Sequence, residues 1–248
     1  MSGNGTRDTL ISARENRQMF DRIARRYDLL NALMSLGLHR VWRRIAVQSL
    51  LAKDGHDFLD IGCGTGDVAI AVLRKAPSAR VTGIDVSGDM LARAVTKTRA
   101  AGLSDRIAYQ EADATRLPFA NASFDGIISA FCIRNIVDHA AALAEMRRVL
   151  RPGGTVALLE LAAPRNPFLR LIHNTYTHHL IPLLGRLLSQ RSAYQYLADS
   201  IDHFPPPPAI VASMGRSGLV QASCTSLTGG FVTLFTARAP GSPTGEPA

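Results

Sequence analysis

Residues 59–67 read Leu-Asp-Ile-Gly-Cys-Gly-Thr-Gly-Asp. An apolar stretch enters three alternating glycines, Gly62, Gly64 and Gly66, with Thr65 among them. Glycine at such places lets the backbone approach a ligand where a Cβ would collide. A helix opening near Asp67 would add free N–H groups. A tight turn without a ligand is one reading. A dinucleotide site is another, but it calls for GxGxxG around a pyrophosphate. Here the spacing is GxGxG, with Asp60 before it and Asp67 after it. Those carboxylates repel a pyrophosphate and suit a ligand that carries a sulfonium and an ammonium.

Two further acids fall in register with that loop. Asp85 stands 19 residues after Gly66, at the end of the apolar run Val81–Asp85. A carboxylate at that place in a doubly wound sheet accepts hydrogen bonds from both ribose hydroxyls. The competing role is a helix N-cap, which Ser87 already suits for a helix from Gly88. Asp113-Ala114 follows a third apolar run, and an acid there accepts the exocyclic amine of adenine. Alone Asp113 would be a loop cap, but its register with the earlier motifs favours the ligand.

The elements that must position these residues alternate in type. Strands are expected at Phe58–Ile61, Val81–Asp85, Ile107–Glu111, Phe124–Ala130 and Thr155–Glu160, with helices at Asp67–Lys75, Gly88–Ala101 and Asp138–Leu150 between them. The third helix meets Arg151-Pro-Gly-Gly154, a stop signal. Such alternation implies an α/β fold with a mostly parallel, doubly wound sheet covered on both faces. Residues 12–52 read as N-terminal helices by their apolar spacing. Residues 164–204 mix leucines with His173, Tyr176, His178 and His179, and read as a helical insertion after the fifth strand. A helix at Ala209–Gly215 and a hairpin of Val220–Ser226 and Phe231–Ala237 around Gly229-Gly230 complete the sheet. Residues 1–11 and 241–248 read as disordered ends of a single domain spanning 1–248.

The chain has 248 residues, 46% of them hydrophobic, enough for a sizeable core. Three scattered cysteines exclude a disulfide framework and fit a reducing compartment. The longest apolar runs fall far below the ~18 residues that span a bilayer, and no apolar stretch opens the chain, so a cytoplasmic location is expected. No HExxH or Cys/His cluster calls for a metal. The net charge is +8, with 25 arginines against 3 lysines. Residues 1–52 carry nine arginines and four acids, a local +5 that suits an anionic membrane surface, a nucleic acid or an acidic substrate. A solvated helical face is the plainer reading. No basic stretch interleaved with aromatics points to nucleic acid.

Asp60–Asp67, Asp85, Asp113-Ala114 and Arg151–Gly154 together resemble the class I S-adenosylmethionine-dependent methyltransferases. Three other segments narrow the resemblance to the menaquinone/ubiquinone biosynthesis C-methyltransferase family. They are Met19-Phe-Asp-Arg-Ile-Ala-Arg-Arg-Tyr-Asp-Leu-Leu-Asn31 with Leu36–Arg43, Ala130-Phe-Cys-Ile-Arg-Asn135, and Tyr194-Gln-Tyr-Leu-Ala-Asp-Ser-Ile201. The resemblance covers roughly residues 14–238. It implies a Rossmann-like, seven-stranded methyltransferase sheet with a substrate cap, and S-adenosyl-L-methionine bound at Asp60, Gly62, Gly64, Thr65, Gly66, Asp85, Asp113, Ala114 and Ala130. At 130 the family often has serine, at 132 glycine instead of Cys132, and after Glu160 a Phe-Ser-Lys-Pro run.

The implied reaction is C-methylation of a polyprenylated hydroquinone ring, demethylmenaquinol to menaquinol foremost and the ubiquinone precursor second. A ring carbon becomes nucleophilic when its neighbouring phenol, with a pKa near 10, loses a proton. Arg134 and Asn135 would stand beyond the fourth strand, where a guanidinium stabilises the forming phenolate. Arginine stays protonated and is no base. Arg134 could instead pair with Asp138 at a helix start. Tyr27 and Asn31 would close the site over the ring, or Tyr27 would pack in the core. His173, His178 and His179 are candidate bases or plain surface and core histidines. The insertion 164–204 would cover the isoprenoid tail. The expected partners are the lipid hydroquinone, a membrane surface bound weakly, and a second copy in a homodimer. The competing functions are methylation of a sterol or another phenol, and a non-catalytic scaffold in a quinone-biosynthesis complex.

Overall fold

The computed structural model describes residues 13–24, 27–52, 55–180 and 191–241. The ends expected to be disordered, 1–11 and 242–248, lie outside them; Gly241 is described. Three helices come first: α1 (Ala13–Ile23), α2 (Tyr27–Met34) and α3 (His39–Leu50). Then come β1 (Asp57–Ile61), α4 (Asp67–Lys75), β2 (Arg80–Asp85), α5 (Gly88–Ala100), β3 (Ile107–Glu111), β4 (Phe124–Ala130), α6 (His139–Val149) and β5 (Leu150–Leu161). α7 (Pro167–Thr175) is followed by a π-helical turn at Tyr176–Leu180, α8 (Arg191–His203), α9 (Pro207–Arg216), β6 (Val220–Leu227) and β7 (Val232–Arg238).

The seven strands lie in the order β3-β2-β1-β4-β5-β7-β6, with β1 to β5 parallel and β7 antiparallel to both β5 and β6. The central strands are buried on both faces, as parallel strands must be when helices cover them. One face packs on α6 and α9 through Leu143, Met146, Val149, Ile210 and Met214. The other packs on α3 and α4 through Ala46, Val47, Leu50, Val68 and Val72. Strand order reverses between β1 and β4. The loops leaving these two strands diverge there, which is where an open α/β sheet holds its ligand.

One expectation needs correction. The helix stops before Arg151–Gly154 as expected, but the strand after it starts at Leu150, not Thr155. The helix α6 ends at Val149, and β5 begins at once and runs through Pro152 and Gly153. Pro152 has no N–H to give and Gly153 has φ +75°, so the pairing with β4 shifts register between Phe124 and Gly126, and Gly153 donates its N–H to Ala239 O instead. The N-terminal helices expected over 12–52 are present among the described residues as α1, α2 and α3. Within 164–204, α7, the π-helical turn and α8 bear out the helical insertion, while 181–190 lie outside the described residues.

Candidate active site

The loop after β1 is held from beneath and from the side. Cys63 donates its N–H to Ile84 O at 2.9 Å, and Gly64 donates its N–H to Asp85 Oδ2 at 2.8 Å. Asp85 Oδ1 also accepts the N–H of Ser87 at 3.0 Å. Ser87 is the N-cap of α5, its Oγ accepting from Met90 N, so the two roles weighed for Asp85 fall to two residues. A carboxylate has about four acceptor positions, so Asp85 retains capacity for ribose hydroxyls after these two bonds. Gly62 sits at φ +67°, and a Cβ on it would strike the Cys132 sulfur. The cysteine that replaces the family glycine thus makes glycine obligatory at 62.

A cavity of about 280 Å³ opens over this loop, lined by Gly62, Gly64, Asp85, Asp113, Ala114, Cys132 and Asn135, among others. Asp113 Oδ1 accepts both the N–H and the hydroxyl of Thr115, each at 2.8 Å. The turn so formed fixes its carboxylate at the cavity wall. Asp60, Thr65, Gly66 and Ala130 do not line this cavity. Thr65 turns the other way and donates its hydroxyl to Asp28 Oδ1 at 2.7 Å. Lys97 Nζ joins that pair, reaching Asp28 at 2.8 Å, Thr65 at 3.0 Å and Asp67 at 2.5 Å. Gly66, at φ +83°, makes room for the Tyr109 hydroxyl. Ala130 is a correction of the expected contact set. It packs in the core with Trp42, because β4 places alternate side chains on opposite faces and the chain bends only at the next residue.

Asp60 is only 1% exposed, and neither carboxylate oxygen makes a hydrogen bond of good geometry. Burial pushes its pKa up to about 7, against the opposing pull of Arg43. A buried carboxylate two residues before Gly62, behind the loop and outside the cavity lining, favours positive charge close by, and a ligand with a sulfonium and an ammonium in the cavity would add to the field of Arg43. The residues present therefore fit S-adenosylmethionine. A pH dependence follows. A cationic ligand favours the ionised form, and below pH 7 binding must expel a proton, so affinity should rise with pH by up to about tenfold per unit and level off above 7. Calorimetric titrations between pH 5.5 and 8.5 measure this. Asp60→Asn should flatten the profile, and an equally steep profile in that variant removes Asp60 as its source.

The N-terminal helices lie across the cofactor cavity. Arg17 of α1 reaches Glu111 at the end of β3 at 2.5 Å, Ser87 Oγ donates to Asp21 at 2.5 Å, and Asp28 of α2 holds the Thr65–Lys97 pair. Tyr27 stands over Gly64, where a Cβ would lie 3.7 Å from its Cε1, and packs edge-on to Phe20. Burial raises the Tyr27 pKa, so its hydroxyl keeps its proton.

A second cavity, about 320 Å³ and mostly apolar, lies on the other side of Phe20, Tyr27 and Phe131, which line both. Arg134 lines this second cavity, Asn135 the first. Arg134 does not pair with Asp138, whose Oδ1 instead accepts Ala141 N as the N-cap of α6. Its Nη1 meets Glu160 Oε1 at 2.7 Å, and Glu160 Oε2 also accepts the Arg134 N–H at 3.1 Å. Nη1 further donates to Phe131 O at 2.7 Å, and Nε to Ser200 Oγ at 3.3 Å. Tyr196 donates to Asn135 Oδ1 at 3.1 Å, linking the walls of the two cavities. His173 lines the apolar cavity, its Nδ1 without a well-formed hydrogen bond among the described residues and its pKa lowered by burial against the pull of Asn174. His178 pairs with Asp202 at 3.4 Å, away from that cavity's lining, and the side chain of His179 lies outside the described set.

Phe131, Glu160 and Tyr196 were not singled out in the sequence as site residues. Phe131 has φ +62°, costly for a bulky side chain and on the order of 1–3 kcal/mol. Its ring forms the partition between the cavities, edge-on to Trp42 at 6.3 Å, and Arg134 grips its carbonyl. All three lie within or beside motifs quoted above, but nothing in a linear pattern shows which side chain turns inward.

Comparison with known proteins agrees with this geometry. The chain is 42% identical to the ubiquinone/menaquinone biosynthesis C-methyltransferase UbiE of Syntrophotalea carbinolica, over 89% of this chain and 92% of the relative. It is 43% identical to the demethylmenaquinone methyltransferase of Thermus thermophilus, over 81% and 90%. The fold matches that of Haemonchus contortus phosphoethanolamine N-methyltransferase 2 in complex with S-adenosyl-L-methionine at a TM-score of 0.60, with 19% identity, over 80% of this chain and 52% of that one. The model of the ubiE/COQ5 methyltransferase family matches residues 9–238. With a glycine loop under one cavity and an apolar chamber behind its far wall, this chain belongs to the ubiE/COQ5 methyltransferase family.

Proposed function

We propose that the protein is an S-adenosylmethionine-dependent C-methyltransferase that methylates the ring of a polyprenylated hydroquinone, demethylmenaquinol to menaquinol foremost and the ubiquinone precursor second. The observation that carries this reading is the shared wall. A cavity built for a cationic nucleoside ligand meets an apolar chamber at Phe20, Tyr27 and Phe131. When bound, the cofactor supplies an activated methyl group on a sulfonium, so alignment of the two ligands is the main requirement.

The chain's own residues supply that alignment and the proton chemistry. The apolar lining holds the ring and the start of its tail and excludes water. Asn31 lines the same chamber beside the Tyr27 hydroxyl, and its buried Nδ2, which makes no well-formed hydrogen bond among the described residues, can donate to a ring oxygen. Arg134 Nη2 makes no hydrogen bond among the described residues, while its other nitrogens are held by Glu160, Phe131 and Ser200. A guanidinium braced in this way stabilises a forming phenolate without reorganising. Asn135, held by Tyr196, orders the boundary between the cavities. The neutral His173 imidazole is a candidate to take the phenol proton.

Weak membrane association and a homodimer are part of this proposal. Among the described residues no helix is long and apolar enough to cross a membrane. A scaffold would need neither the buried Asp60 nor left-handed glycines under a cavity. The test is the lipid quinone profile of a strain lacking this gene, with and without the protein restored. Accumulated demethylated quinone that disappears on complementation is the expected result, and an unchanged profile rejects the substrate.

A further inference from the structure

The helix α7 is apolar on its outer side. His173 is its buried residue, packed edge-on to Phe231 at 5.2 Å, and Leu169 faces Gly229 in the turn before β7. Phe168, Leu171 and Ile172, at helical spacing on the other side, are 69%, 65% and 45% exposed. Exposed apolar side chains also line the opposite bank: Leu29 and Leu33 on α2, then Leu36, at 85% the most exposed large apolar residue of the described set. The two banks are joined, since the Tyr176 hydroxyl donates to Met34 O. Leu36, Leu38 and Ile172 are at once exposed and part of the lining of the apolar chamber. The apolar surface is therefore continuous with the chamber mouth.

The two chain segments that carry most of this rim are basic. Residues 29–53 and 161–198 contain no Asp or Glu. Arg40, Arg44, Arg165 and Arg170 are exposed there, and none of them has an acidic partner among the described residues. Two other arginines of the basic N-terminal segment are committed to acids, Arg17 to Glu111 and Arg43 to Asp67. An apolar rim of this extent, ringed by free arginines, marks a docking surface. Arginine can bury its stem beside apolar side chains while its guanidinium reaches phosphate oxygens.

We propose that this rim, Leu29, Leu33 and Leu36 on one bank and Phe168, Leu171 and Ile172 on the other, docks the protein onto an anionic phospholipid bilayer. The chamber mouth then faces the membrane. Its apolar side chains enter the interface, and Arg40, Arg44, Arg165 and Arg170 meet the headgroups. The assignment rests on the lipid hydroquinone reading above: a substrate dissolved in the bilayer passes into the chamber without crossing water.

The test uses the full chain and vesicles of phosphatidylcholine with or without one-third phosphatidylglycerol. Binding to the anionic vesicles is expected, falling as salt rises, with little on the neutral ones. Phe168→Gln with Leu171→Gln should weaken anionic binding about tenfold, as should Arg165→Gln with Arg170→Gln. These four side chains line neither cavity, so thermal stability, S-adenosylmethionine affinity and turnover of a short-chain, water-soluble hydroquinone should stay unchanged. Turnover of a long-chain hydroquinone delivered in vesicles should fall with binding. Undiminished vesicle binding in both double variants overturns the proposal. So does a halved solution mass in the Phe168/Leu171 variant, which would assign the rim to a second copy of the chain. Failure of the native protein to methylate even the short-chain hydroquinone would count against the substrate reading, while the vesicle result would still judge the surface.

Discussion

Asp85→Ala should weaken S-adenosylmethionine binding roughly 30- to 1000-fold, the loss of 2–4 kcal/mol that hydrogen bonds to a charged group are worth. The carboxylate does two things at once. It pins the glycine loop through Gly64 N–H and the start of α5 through Ser87 N–H, and its remaining acceptor positions face the cavity. Loss of loop order and loss of ribose contact would both lower affinity, and a cycle separates them. An analogue lacking the ribose hydroxyls should bind the native protein much more weakly than the parent compound does. In the Asp85→Ala protein the two should bind alike. If the variant still discriminates between them, the ribose hydroxyls are held elsewhere and Asp85 serves the loop alone. Unchanged affinity for the parent compound would end the assignment altogether.

The parts of the site that could be read from the sequence are those fixed by local backbone geometry. Alternating glycines after a buried strand specify a turn with left-handed positions, and Gly62, Gly64 and Gly66 all have positive φ. An acid at the end of the next strand lies beside that turn because parallel neighbours align their C-terminal ends, as β1 and β2 do in register Ile61 to Ile84. The seven-stranded sheet followed from the same alternation. What could not be read was direction and long-range partnership. Thr65 belongs to the loop, yet its hydroxyl faces α2 and Lys97, since the loop's inner face is taken by backbone. Ala130 ends β4 but points into the core, and the next residue forms the cavity wall. The Pro-Gly-Gly run does stop the helix, but Ala239, just past β7, supplies a carbonyl to Gly153, and β5 already runs through it. Each of these depends on an element far away in the chain.

Arg134 shows the same limit most sharply, and it carries the other large expected effect. Its nearest acid in sequence, Asp138, caps a helix, and its true partner, Glu160, comes 26 residues later on β5. Removing the arginine alone would strand a fully buried carboxylate, at a cost of about 3–5 kcal/mol. Arg134→Ala therefore mixes folding with chemistry. The cleaner variant is Arg134→Gln with Glu160→Gln, which removes both charges and keeps hydrogen-bonding groups in place. If the guanidinium stabilises charge that forms only in the transition state, turnover should fall by roughly 10²–10³ in this folded double variant, the scale for one oxyanion donor. S-adenosylmethionine affinity should hardly change, because Arg134 lines the apolar chamber and not the cofactor cavity. Glu160→Gln alone tests the opposite sign: with its counter-charge gone, Arg134 presents a stronger field to the ring oxygen, and the pH at which turnover is half-maximal should move down. Near-normal turnover in the folded double variant would reduce Arg134 to a brace for the Phe131 carbonyl, with alignment of the two ligands and His173 as proton acceptor left to account for the rate.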